Sequence, residues 1–112
     1  MARALALLGV SGSRVGETTV VTGRSTIIGS TPGCDMILLD RLILPLHAEL
    51  RTILDRWFIV PLDPRATVFV NGEPVTSQQR IEEGSMITLG TVTFKASLES
   101  LAERQVGGGS RW

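Results

Sequence analysis

Asp40-Arg41-Leu42-Ile43-Leu44-Pro45-Leu46-His47-Ala48-Glu49-Leu50 is the stretch on which the fold turns, and it holds the single histidine of the chain. It begins like a loop yet is strongly apolar. Pro45 forbids a helix or a central strand through this point, because proline has no N–H to donate and restrains the residue before it. Residues 40 to 46 therefore read as loop. From His47 the pattern becomes that of a strand, His47 to Leu54, with Ala48, Leu50, Thr52 and Leu54 on one face. A loop bearing Leu42, Ile43, Leu44 and Leu46 is either covered by its neighbours or offers an apolar surface to a partner.

Outward from this stretch the chain keeps one rhythm: short β-branched and apolar runs separated by Gly, Pro, Asn and Ser. That rhythm predicts an all-β sandwich or barrel. Towards the N-terminus the expected strands are Ala4 to Leu8, Glu17 to Val21, Ser25 to Ile28, and Met36 to Leu39. The last is wholly apolar, which suggests burial on both faces. Towards the C-terminus, Asp55-Arg56 reads as a tight turn into Trp57 to Val60, and Pro61 to Arg65 as loop. Val68-Phe69-Val70 followed by Asn71-Gly72 is the strongest hairpin signal, since both central positions of a type I′ turn need positive φ. Glu73 to Val75 returns the strand. Thr76 to Glu83 reads as a polar connector anchored by Ile81. Met86 to Leu89 and Val92 to Ala96 complete the strands around Gly90-Thr91. The domain is assigned to residues 1–97. Residues 98–112 form a tail, with a short helix expected over Ser97 to Gln105 on capping-box spacing and a linker at Gly107 to Ser110.

With 112 residues, a single domain can bury a core without disulfides or metal. Eleven basic residues balance eleven acidic ones, which argues against a nucleic-acid partner. One Cys and one His, without metal-ligand spacing, assemble neither a disulfide nor a zinc site, and no cofactor motif is present. The apolar start is too short for a leader or a bilayer span, so a cytoplasmic domain without direct membrane contact is expected. No nucleophile sits with a partnered histidine, and the glycines of residues 9–12 lack the Gly-Lys-Ser/Thr of a phosphate loop. The chain is thus not read as an enzyme.

Taken together, the punctuation points resemble the forkhead-associated (FHA) domain over roughly residues 4 to 96. The carriers are Ile28-Gly29, Cys34-Asp35-Met36-Ile37-Leu38 with Asp40, and Ile43 then His47-Ala48 at the spacing of the family's Val-Ser-Arg-x-His-Ala. Trp57, Val70-Asn71-Gly72, Ile81, Glu83-Gly84, Ile87 to Gly90 and Phe94 follow in order. The resemblance implies a β-sandwich of about eleven short antiparallel strands. It also implies scaffold roles for Gly29, His47, Trp57, Asn71 and Gly72, and phosphothreonine recognition by loops at one end.

At the positions that hold the ligand in that family, this chain departs from it. Ser30 replaces an arginine, Leu44 and Pro45 replace a serine and an arginine, and Pro64 replaces a further serine. Ala66, Thr67 and Val68 stand for Asn-Gly-Thr. A phosphothreonine brings about −1.5 to −2 charge and three acceptor oxygens, so its pocket needs donors. Leu44, Pro45, Ala66 and Val68 offer no side-chain donor. The expectation is a degenerate phosphothreonine site on a phosphorylation-independent protein-interaction module. Its partner surface, or self-association surface, would be Ser30, Leu44, Leu46, Ala66 and Val68, fringed by Arg41 and Arg65. Two alternatives stay open. One is a phosphopeptide reader using non-standard arginines, among Arg41, Arg65 and Arg14. The other is a self-assembling cytoplasmic domain of a bacterial secretion-system membrane component, since such components carry divergent FHA-like domains.

Overall fold

Residues that alternate apolar and polar bury one face of a strand, and here they pair into two stacked sheets. The computed structural model describes residues 3–100 of the chain. In chain order the strands are β1 (Arg3–Ser11), β2 (Thr18–Val21), β3 (Ser25–Gly29), β4 (Met36–Ile37), β5 (Ala48–Ile53) and β6 (Arg56–Pro61). Then come β7 (Val68–Val70), β8 (Glu73–Pro74), β9 (Gln79–Ile81), β10 (Met86–Leu89) and β11 (Val92–Ser100). One sheet has the order β2-β1-β11-β10-β7-β8 and the other β4-β3-β5-β6-β9. The apolar faces meet in a core that includes Leu5, Leu7, Ile28, Leu50, Trp57, Ile59, Ile87 and Phe94. The expected all-β sandwich is thus the observed fold, with one exception to its antiparallel pairing: β3 and β4 run parallel.

Four local expectations are corrected. The run Met36 to Leu39 is not buried on both faces. Only Met36 and Ile37 pair, at the edge of their sheet, and Leu39 is 77% exposed. The β5–β6 turn falls one residue earlier than expected, because Ile53 pairs with Arg56 and the two central residues are Leu54 and Asp55. Both have positive φ, 53° and 64°, so the chain uses a type I′ geometry without its usual Asn-Gly. The polar connector Thr76 to Glu83 contains a strand, β9, because Gln79 to Ile81 pairs with Trp57 to Ile59 and Ile81 enters the core. Finally, Ser97 to Ser100 are strand rather than the start of a helix. Ala6 and Leu5 pair with Ser97 and Leu98, giving those residues a ladder that an isolated helical turn would lack. Strand β11 therefore runs to Ser100. The rest of the expected helix and the linker at Gly107 to Ser110 lie outside the described residues.

Asn71 and Gly72 do form the β7–β8 turn, with φ of 53° and 82°. Asn71 also ties this hairpin to β10. Its Oδ1 accepts from the Met86 N–H at 2.9 Å, while its own N–H donates to the Met86 carbonyl at 2.7 Å. Trp57 is buried in the core and its indole N–H donates to the Arg3 carbonyl at 3.1 Å, fastening the second sheet to the first strand.

Candidate functional site: the loop end of the sandwich

β3 ends and β5 begins at the same end of the sandwich, which places the segments after Gly29 and before His47 side by side. The contact between them is close. A Cβ on Gly29 would lie 2.1 Å from the Pro45 carbonyl oxygen and 2.8 Å from Cys34 Sγ, so only glycine fits. That carbonyl accepts from the Thr31 hydroxyl and the Cys34 thiol, both at 3.2 Å. One residue back, the Leu44 carbonyl accepts from the Ser30 N–H at 3.1 Å. The proline that breaks the ladder thus leaves its carbonyls bonded to the neighbouring loop.

His47 holds the same loop from beneath and is fully buried. Its Nδ1 accepts from the Leu44 N–H at 3.1 Å, so Nε2 carries the proton and donates to the Thr67 carbonyl at 2.9 Å. Its backbone is also spent, with the N–H on the Ile28 carbonyl and the carbonyl receiving the Leu62 N–H. A histidine with both ring nitrogens on main chain ties two loops together and has no free nitrogen for proton transfer.

The front of the loop is organised by Asp40. Its carboxylate accepts from the Leu42 N–H at 3.0 Å and from the Thr91 hydroxyl. These bonds, the Thr91 one foremost, hold the Asp40 carboxyl below the usual carboxylate range, with Arg41 adding a smaller pull. Across the end, Asp63 and Arg65 form a closed fork: Arg65 Nε to Oδ1 at 3.0 Å and a terminal nitrogen to Oδ2 at 2.9 Å, with the Arg65 N–H on Oδ1 at 2.8 Å. The guanidinium lowers the Asp63 pKa to about 2. The Asp63–Arg65 fork did not stand out in the sequence, although Asp63-x-Arg65 has the spacing of a side chain bonding its own turn.

The residues expected at the contact surface separate on this framework. Leu46 and Arg41 are exposed, and so is Arg65, engaged with Asp63. Ser30 and Leu44 are half-buried. Ala66 and Val68 are buried, Val68 in the core itself, and offer no surface to a partner. Alternation explains the loss: Val68 and Val70 both face inward across β7, against Leu89 and Ile87 of β10. In their place the loop exposes Leu39, Leu42 at 52% and Leu46 at 54%. Arg14 is also committed, donating to the Ile37 carbonyl at 2.6 Å and pairing with Glu17 at 3.2 Å. Chemically this end is a stiff loop carrying exposed leucines, its buried polar atoms satisfied and, among the described residues, without a group of side chains able to hold a metal ion.

The Yop-YscD family model, described as the cytoplasmic domain of the inner membrane component of the type III secretion system, matches residues 10–99. The chain belongs to this family. Solved structures agree on the fold of this Yop-YscD domain. An FHA domain of a hypothetical protein from Arabidopsis thaliana superposes with a TM-score of 0.81 at 21% identity, over 88% of each chain. An FHA domain studied for phosphothreonine-dependent interactions superposes at 0.76 with 24% identity, over 88% of this chain and 99% of the other. The cytoplasmic domain of the sorting-platform protein PscD from P. aeruginosa gives 0.70 at 18% identity, over 86% of this chain and 79% of the other. No curated protein sequence matches. The Yop-YscD domain thus has the FHA fold expected from Gly29, His47-Ala48 and Asn71-Gly72. No helix among its described residues is long and apolar enough to cross a membrane.

Proposed function

We propose that this domain is a phosphorylation-independent protein-interaction module on the cytoplasmic side of a secretion-system membrane component, and that it engages a partner, or a second copy of itself, through the loop end. The supporting observation is the loop itself. Leu39, Leu42 and Leu46 stand in solvent on a backbone pinned by Asp40, His47, Thr31 and Cys34. A pre-organised apolar surface loses little entropy on association, which is how a small contact gains affinity.

The same end is poorly made for phosphate. Leu44 and Pro45 bring no side-chain donor, and the Leu44 N–H is already given to His47. Arg65 would have to leave Asp63 to reach an anion. Arg41 is the one exposed arginine of the expected pair that, among the described residues, makes no salt bridge. The test is binding of phosphothreonine peptides beside their unphosphorylated counterparts at moderate salt. No phosphate-dependent binding is expected. Saturable sub-millimolar binding that needs the phosphate and disappears in Arg41→Ala would refute the reading and make the domain a phosphopeptide reader. For the apolar surface, Leu42→Asp is expected to abolish partner capture or concentration-dependent mass while leaving the fold intact.

A further inference from the structure

The opposite end of the sandwich carries an unusual combination. The β5–β6 turn there projects Leu54, 86% exposed, with Ile53 beside it at 45%. Leucine is a poor choice for a position with φ of 53°, where asparagine or glycine would relieve the backbone. No packing need accounts for it, since the side chain lies in solvent.

Arginines surround this apolar tip. A cleft of about 450 Å³ is lined by Arg3, Thr22, Arg24, Thr52, Leu54 and Asp55. A second, of about 250 Å³, shares Arg3, Leu54 and Asp55 and adds Arg56 and Arg80. The acids near this group are Asp55 in the turn and Glu99 on β11 beside the Arg3 end, each with a partner of its own, and Glu82, 3.8 Å from Arg80. Among the described residues Arg3, Arg24 and Arg56 form no salt bridge, in a chain whose overall formal charge is +0. β11 reaches this end too, with Ser100 paired to Arg3.

We infer that this end is a membrane-surface contact whose ligands are anionic phospholipid headgroups. Guanidinium forks suit phosphate oxygens, and an apolar tip among them suits the boundary of the hydrocarbon layer. A free phosphate, by contrast, has no use for Leu54 and Ile53. The inference rests on reading the domain as part of an inner-membrane component, which keeps an anionic leaflet within reach. It revises the expectation, drawn from hydropathy alone, that the chain makes no direct membrane contact.

Each arginine close to an anionic leaflet is worth about fivefold in partitioning, so three together contribute roughly 100-fold. The test is flotation of the full chain with vesicles of phosphatidylglycerol in phosphatidylcholine, and with phosphatidylcholine alone, at low salt. Partitioning is expected only with the anionic vesicles, falling about 25-fold in Arg24→Gln/Arg56→Gln. Leu54→Asn keeps a residue at ease with positive φ, so it folds, and is expected to weaken partitioning by removing the apolar tip. Leu42→Asp, at the other end, is expected to leave it unchanged. Absence of partitioning at low salt, equal partitioning to both vesicle types, or full partitioning by the arginine and Leu54 variants would overturn the inference. So would displacement by millimolar inorganic phosphate, which would mark a free-anion site instead. Failure here is separable from failure of the loop-end reading, because that reading is measured on partner capture by Leu42→Asp without vesicles.

Discussion

Replacing His47 by leucine isolates the value of its two ring hydrogen bonds, because leucine fills much of the same volume and leaves little cavity. The two bonds are not equivalent. The Thr67 carbonyl keeps a second donor, the Gly90 N–H at 3.4 Å, whereas the Leu44 N–H has only His47 Nδ1 among the described residues. A donor stranded away from water costs about 1–3 kcal/mol, and a carbonyl that retains a weak partner costs about 1 kcal/mol. His47→Leu should therefore lose about 2–4 kcal/mol, a sizeable part of the roughly 5–15 kcal/mol that holds such a domain together. Urea unfolding measures this directly. With a slope of about 1–3 kcal/mol per molar, the midpoint should fall by about 1–2 M at unchanged slope. The loss should appear locally as well, as faster amide exchange at Leu44 and Ser30, whose bonds share the loop. A loss below about 0.5 kcal/mol, typical of a neutral surface change, would refute the reasoning: the loop would then hold its shape through Ser30, Thr31 and Cys34 alone.

Two further perturbations follow from the same framework. Gly29→Ala sets a methyl 2.1 Å from a backbone oxygen, so the 40–46 loop must shift; a loss of about 3 kcal/mol is expected. Thermal unfolding would show it as a drop of roughly 10–20 °C, and an unchanged melting temperature would mean the two loops part easily. Asp63 should titrate near pH 2 in a carboxyl NMR titration, and in Arg65→Ala its pKa should return towards about 3.9. The sign follows from the depressed value: the Asp63–Arg65 pair contributes above the unfolded pKa, and the contribution fades as pH falls from about 4 towards 2. An Asp63 pKa untouched by Arg65→Ala would show that the fork does not persist in solution.

Much of the sandwich was legible in the sequence because its strongest signals are local. Asn71-Gly72 asks for positive φ at both positions, Pro45 ends a ladder, and alternation marks the half-buried strands. What escaped the reading depends on partners distant in sequence. β9 carries polar Gln79 and Arg80 and is a strand only because β6 offers an open edge. Ser97 to Ser100 have helical spacing but lie against β1, more than 90 residues earlier in the chain. The β5–β6 turn was read one residue late, at Asp55-Arg56, because leucine does not advertise a left-handed backbone. At the loop end the residue types were legible and their exposure was not. Val68 and Leu46 are both apolar, and only the strand β7 decides that one faces the core and the other faces solvent.

The pairing of β1 with β11 also sets the order in which the molecule can be made. β1 finds β2 almost at once, but its other edge waits until residues 92–100 have been synthesised. At about 5–20 residues per second, that wait is roughly 5–20 s on the ribosome. Throughout it, the β1 edge that β11 will cover stands open to any other unpaired strand. The sheet that begins with the first strand is therefore completed only by the last one, so its central ladder is among the latest contacts the chain can make.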